Sequence, residues 1–233
     1  MDHIETIFTE LGAVFCNSAS DISTRLKGIK AFVFDWDGVF NNASKNADKS
    51  SNFNEADSMG TNMLRFSYFL IHHKTPAMAI ISGERNEMAF YFSGREHFHT
   101  SYYKIPDKMI ALKHFCEKQG LRPNEIAYFF DDVLDLSIAS VAGLRIMINR
   151  KANPLLKNYV LNHALADYIT AHESGDFAIR EACEMLMGLN GNYNNCLDER
   201  KDFSEIYKNY LHQRQSVQTE YFTLQDSKIV TGS

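Results

Sequence analysis

The stretch Ile29-Lys30-Ala31-Phe32-Val33-Phe34-Asp35-Trp36-Asp37-Gly38 decides the fold. A dense, partly β-branched apolar run that stops abruptly at two carboxylates and a glycine reads as a strand buried on both faces. The pattern recurs downstream. Residues 77–81 form an apolar run ending at Ser82-Gly83, residues 126–130 end at Asp131-Asp132, and residues 144–148 and 168–169 give two further strands. Between them, helical spacing covers 61–71, 84–92, 107–119, 135–141 and 177–187, the third closed by Gly120. Helices alternating with short apolar strands predict an α/β fold, a doubly wound parallel sheet covered on both faces.

On the N-terminal side, Ile4, Ile7, Phe8, Leu11 and Phe15 recur at helical spacing and predict a helical segment over 1–27. The polar stretch from Asn41 onward is too long for a tight turn and predicts a hairpin or flap over 41–53. Composition changes at Asn190-Gly191-Asn192-Tyr193-Asn194-Asn195, so the sheet domain is expected to span 28–188. A polar extension over 189–233, with one helix at 203–214, would follow it.

The chain has 233 residues, with 24 Lys and Arg against 29 Asp and Glu. The resulting net charge of −5 argues against a partner held by nucleic-acid phosphates. An apolar share of 45% suffices for one continuous core. No apolar run approaches the roughly 20 residues of a membrane span, and the acidic start Met1-Asp2-His3-Ile4-Glu5 lacks the positive charge of a secretory leader. A cytoplasmic location without membrane contact is therefore expected. Cys16, Cys116, Cys183 and Cys196 form no CxxC pair and read as reduced thiols.

In a doubly wound sheet, ligands sit beyond the carboxyl ends of the strands, so the residues just past each apolar run carry the functional reading. Spacing of two along an extended segment puts Asp35 and Asp37 on one side of the chain, where one carboxylate can attack a phosphoryl group while the other handles a proton. Several converging carboxylates would repel without a cation. An all-oxygen set selects a hard ion, Mg²⁺, with Asp131 as the distant ligand. Ser82 can bond a phosphoryl oxygen, and Lys108 can neutralise charge on the group in flight, with Lys104 as its rival. His72-His73 lack a second ligand cluster and read as helix-end histidines. Trp36, pointing opposite to the two aspartates, reads as packing.

The residues resemble a family. Phe34-Asp35-Trp36-Asp37-Gly38-Val39, Ile81-Ser82-Gly83, Lys108 and Asp131-Asp132-Val133-Leu134-Asp135 look, in order, like the four motifs of the haloacid dehalogenase superfamily. Phe53-Asn54-Glu55-Ala56-Asp57-Ser58-Met59-Gly60, Ala166-Asp167-Tyr168-Ile169-Thr170 and Ala178-Ile179-Arg180-Glu181 resemble its small branch without a large cap domain, which acts on phosphorylated 2-keto-3-deoxy sugar acids of eight or nine carbons. The resemblance implies a phosphatase with Asp35 as nucleophile and Asp37 as acid and base. It implies Mg²⁺ on the Asp35 carboxylate, the Asp37 carbonyl and the Asp131 carboxylate, with Gly83, Asp132 and Asp135 in support. It also implies a homotetramer in which the 41–53 flap packs on neighbours. Glu84 stands where the eight-carbon enzymes carry Arg, and Arg95 stands where the nine-carbon ones place a basic partner. With Asn41 and Arg180, these two are the expected substrate-binding residues, favouring a nine-carbon acid.

Four positions depart from the family pattern: Phe130 and Ser58 replace glycines, Asn41 replaces Thr, and Asp176-Phe177 interrupts a Gly-rich loop. A catalytically weakened protein that binds a sugar phosphate, or that serves oligomer assembly, is the alternative reading. A phospho-accepting receiver module fits less well, because receivers place the acidic pair first and the phospho-acceptor later.

Overall fold

A computed structural model describes residues 1–45, 47 and 51–232. The chain begins with α1 (Asp2–Leu11), β1 (Val14–Phe15) and α2 (Ala19–Leu26). It continues through β2 (Ala31–Phe34), α3 (Glu55–His72), β3 (Ala77–Ile81), α4 (Glu87–Arg95), β4 (Thr100–Tyr103), α5 (Lys108–Gln119) and β5 (Ile126–Phe130). Next come α6 (Leu136–Ala139), β6 (Leu144–Asn149), α7 (Pro154–Asn162), β7 (Tyr168–Glu173) and α8 (Ala178–Asn190). The chain closes with α9 (Tyr193–Lys201), α10 (Glu205–Ser216), β8 (Glu220–Gln225) and β9 (Lys228–Thr231). One sheet runs in the order β1-β7-β6-β5-β2-β3-β4-β8-β9, parallel except for its two outermost pairs.

Alternation along β2 divides the core. Phe32 and Phe34 point to one face, packing with α3, α4 and α8, and Phe34 stacks on Phe129 at 4.4 Å. Ala31 and Val33 point to the other, toward Ala111, Leu112 and Phe115 of α5 and Val160 of α7. With both faces covered, β2 is wholly apolar, and the burial of each of its phenylalanines contributes about 2–3 kcal/mol. From β2 the chain winds outward through β3 and β4, then returns across the sheet to β5 and winds the other way. The reversal lies between β2 and β5, whose Phe34 and Phe129 are register partners. That crevice is where a doubly wound sheet binds its ligand, and Asp35 and Asp131 are placed on either side of it.

Two expectations are corrected, and a third lies partly outside the described residues. The N-terminal segment is two helices separated by the edge strand β1, because Gly12 takes a left-handed φ of 111° that ends α1. The segment expected as a polar extension is built into the sheet: β8 runs parallel to β4, and α10 packs Tyr207 and Tyr210 around Phe66 of α3. Described residues of the expected hairpin form no strand, and their one bridge joins Asp37 to Asn41. Residues 46 and 48–50 of that hairpin lie outside the described residues. Helix α3 also starts earlier than expected, since its polar first turn, capped by Asn54 on the Asp57 amide, hides its periodicity.

Candidate active site

Lys108 opens α5, whose N-cap is Asp107, and its side chain is almost completely buried. Its Nζ lies 2.6 Å from Asp35 Oδ1 and 2.5 Å from Asp135 Oδ1. Burial alone would lower the lysine's pKa, but the two carboxylates outweigh it and hold the ammonium firmly protonated. Asp135 also accepts from Tyr128 Oη at 2.5 Å and from the Asp132 amide. It is thus committed to the protein, whereas the only ion pair of Asp35 among the described residues is with Lys108. Burial, partly offset by Lys108, pushes the Asp35 carboxyl well above the usual carboxylate range.

Asp131 is buried and raised still further, by burial first and by the Asp35 charge second, with Arg150 opposing. Neither of its carboxylate oxygens receives a directed hydrogen bond from the described residues. One oxygen each from Asp35, Asp131 and Asp135 falls within 4.8 Å of the others. Three buried carboxylates this close, one of them with both oxygens unbonded, are the donor set a hard divalent ion takes. Gly38, with φ at 88°, makes this crowding possible: a Cβ there would overlap Asp131 Oδ2 and Arg150 Nη2.

Asp37 is held differently. Ser51 Oγ donates to its Oδ1 at 2.5 Å, Asn86 Nδ2 donates to Ser51 at 2.6 Å, and Lys45 Nζ sits 3.2 Å from its Oδ2. Asn86 caps α4, so the helix start and the Asp37 carboxylate are joined through one serine. All these groups surround an open cleft of about 250 Å³ lined by Asp35, Asp37, Lys45, Ser82, Gly83, Glu84, Lys108, Asp132, Asp135 and Arg150. A buried carboxylate paired to a fixed ammonium, with a second carboxylate held separately by Ser51, gives the cleft the groups that bind and polarise an anionic ligand.

No protein-family model matches the chain. Curated 3-deoxy-D-manno-octulosonate 8-phosphate phosphatases (KdsC) are similar to it. That of Escherichia coli strain K12 is 26% identical over 187 residues, covering 78% of this chain and 90% of the relative. Among solved structures, a probable YrbI family phosphatase from Pseudomonas syringae pv. phaseolica 1448a superposes with a TM-score of 0.65 at 27% identity, over 78% of this chain and 98% of that one. The octulosonate 8-phosphate phosphatase of Moraxella catarrhalis, solved with magnesium, phosphate and KDO, gives 0.64 at 24% over 78% and 98%. The chain has the haloacid dehalogenase fold. In sequence it resembles the octulosonate 8-phosphate phosphatases of that superfamily, and no large cap covers the cleft.

Within this haloacid dehalogenase frame the expected residues divide. Asp35, Asp37, Ser82, Gly83, Glu84, Lys108, Asp132 and Asp135 line the cleft, and Asp131 lies beneath it against Arg150. Lys104 is exposed and does not line the cleft, so Lys108 is the lysine of the site. Arg95 does not reach it: its guanidinium binds Glu55, Glu96 and Ser58 and lies over the Phe53 ring. Arg180 pairs with Glu184 on α8, and Asn41 donates to the Trp36 carbonyl, facing an adjoining cavity. Three of the departures also sit apart from the chemistry. Phe130 stacks on Tyr128 in the core, Ser58 links α3 to Glu96, and Phe177 caps α8. Ser51, Asn86, Lys45 and Arg150 were not singled out from sequence. For Arg150 a signal existed, since it directly follows the strand β6.

Proposed function

We propose that the protein is a Mg²⁺-dependent phosphoric monoester hydrolase acting on a phosphorylated 2-keto-3-deoxy sugar acid. The observation that carries this reading is the buried acidic cluster of Asp35, Asp131 and Asp135, with Lys108 paired to Asp35 and both Asp131 oxygens unbonded, at the crevice where the sheet winding reverses. The named relatives support the substrate class. Asp35 attacks phosphorus and the bond to the sugar oxygen breaks, that oxygen taking a proton from Asp37. Water then attacks the aspartyl-phosphate, Asp37 accepts its proton, and inorganic phosphate leaves. Lys108 and Ser82 hold the phosphoryl oxygens throughout. The Asp35 and Asp131 carboxylates and the Asp37 carbonyl would hold Mg²⁺, which when bound would supply further neutralisation of phosphoryl charge.

The octulosonate phosphatases named above act on the eight-carbon acid; for this chain we infer a preference for nine carbons, carried by Glu84 alone now that Arg95 is spent elsewhere. A homotetramer in the cytoplasm completes the proposal. The weakened-protein reading loses support from the departures, because Phe130, Ser58 and Phe177 touch none of the reacting groups. The test is a phosphate-release screen over sugar-acid phosphates with Mg²⁺ and with excess chelator. Release confined to the Mg²⁺ samples and strongest for 2-keto-3-deoxy acids is expected. No release from any ester, or release that persists in chelator, rejects the reading.

A further inference from the structure

Arg150 stands just past β6, and its Nη2 lies 2.5 Å from Asp131 Oδ2, with Nη1 4.0 Å from Asp132. These are its only anionic neighbours among the described residues. The contact has the distance of an ion pair without the angle of a hydrogen bond, since both Asp131 oxygens remain unbonded. The guanidinium reaches this position because residue 38 has no side chain: a Cβ on Gly38 would overlap Nη2 and the Asp131 carboxylate together. Its side chain remains 26% exposed at the cleft wall, so it has a path outward.

Charge arithmetic gives the contact a purpose. Lys108 pairs with Asp35 and Asp135 and not with Asp131, so among the described residues Arg150 is the cation that faces the buried Asp131 carboxyl. A guanidinium and a divalent ion at the same carboxylate repel each other and compete for its charge. We propose that Arg150 is a tethered cation that fills the acidic cluster until a divalent ion displaces it, so that the metal affinity of the site is set by competition for Asp131. The proposal rests on the reading of the cluster as a Mg²⁺ site. It makes the metal-free protein stable at the expense of metal affinity, and it frees a guanidinium at the cleft mouth when the ion binds.

The test is calorimetric titration of Mg²⁺ into the chelator-treated full chain, for wild type, Arg150→Gln, Arg150→Lys and Asp131→Asn, with melting curves in chelator alongside. Arg150→Gln should bind Mg²⁺ about tenfold more tightly than wild type, the size of an ordinary coupling between two sites, and should melt lower in chelator. Arg150→Lys, which keeps the charge, should fall between the two and gives a folded comparison if Arg150→Gln is unstable. Asp131→Asn should abolish binding. Wild-type or weaker Mg²⁺ affinity in the Arg150 variants, with wild type itself binding normally, overturns the displacement while leaving the metal reading intact. Failure of wild type to bind Mg²⁺ at all overturns both.

Discussion

Two buried aspartates at opposite sides of the same sheet meet arginines in different ways. Asp167, just before β7, accepts from Arg145 Nε, Nη2 and backbone amide, from Arg25 Nη1 and from Asn17 Nδ2, at 2.7 to 3.0 Å. Every lone pair that matters is used, and the result ties α2 and β6 to the strand. Asp131 meets one arginine at ion-pair distance and receives no directed hydrogen bond from the described residues. The first arrangement spends its charge inside the protein and is architecture. The second leaves charge over, and leftover charge in a cleft is what a ligand can use.

The largest effect that would break this contrast is catalytic. Asp35→Asn removes the proposed nucleophile while keeping the side chain's shape, so turnover should fall by at least about a thousandfold, with the melting temperature nearly unchanged. Retention of more than about a tenth of the activity would remove Asp35 from that role. Asp167→Ala should do the reverse. It strands the Arg145 guanidinium, which is mostly buried, and should cost about 3 kcal/mol, lowering the melting point by roughly 10 °C. Per folded molecule, kcat should stay within about twofold of wild type. A thermal scan paired with active-site titration separates the two outcomes.

Asp57 sharpens the comparison because it lies between the extremes. It is fully buried and accepts from the Arg180 amide and from Asn54 Nδ2, yet no guanidinium among the described residues binds its carboxylate. Burial raises its pKa to about 6, more than those hydrogen bonds lower it. The folded carboxyl therefore holds its proton more tightly than the unfolded one. The stability this confers is complete below about pH 4 and is lost as pH rises through about 6, amounting to roughly 3 kcal/mol. Asp57→Asn, which cannot ionise, should remove that slope from melting curves taken between about pH 4 and pH 7. An unchanged slope would mean that Asp57 is already ionised at low pH in the folded protein.

Much of this was legible because β2, β3 and β5 are wholly apolar and stop at the residues that matter: Asp35, Ser82 and Asp131. Strand β4 was not, because Thr100-Ser101-Tyr102-Tyr103 is buried without a single aliphatic residue, and β8 is a partly exposed strand near the sheet edge. Site residues fixed by their place at a strand end or helix start could be read from sequence. Those fixed by helix rotation could not, and Arg95 is the example. Its position in α4 suggested the cleft, whereas the helix turns it toward Glu55 and Ser58. Ser51 was hidden for the opposite reason, as one serine in a polar stretch whose contact with Asp37 is made only by the fold.

Arg95 and Glu84 give the finest test, since they repeat the contrast on the scale of substrate choice. Arg95 is bound by two carboxylates and a hydroxyl, with a phenyl ring beneath it, and so has no charge left for a ligand. Glu84 is exposed at the cleft wall and makes no ion pair among the described residues. A carboxylate there repels a substrate acid group held close, accepts hydrogen bonds from sugar hydroxyls, and so favours an acid group farther from the phosphate. Glu84→Arg should therefore move the ratio of kcat/KM for the nine-carbon over the eight-carbon phosphate toward the shorter acid by about tenfold, within what hydroxyl recognition supplies. Arg95→Gln should leave that ratio within about twofold and show its effect in stability instead, by a fraction of a kcal/mol for its exposed pair with Glu55. If Arg95→Gln moves the ratio and Glu84→Arg does not, the charge that selects substrate lies in α4 and not at the cleft wall.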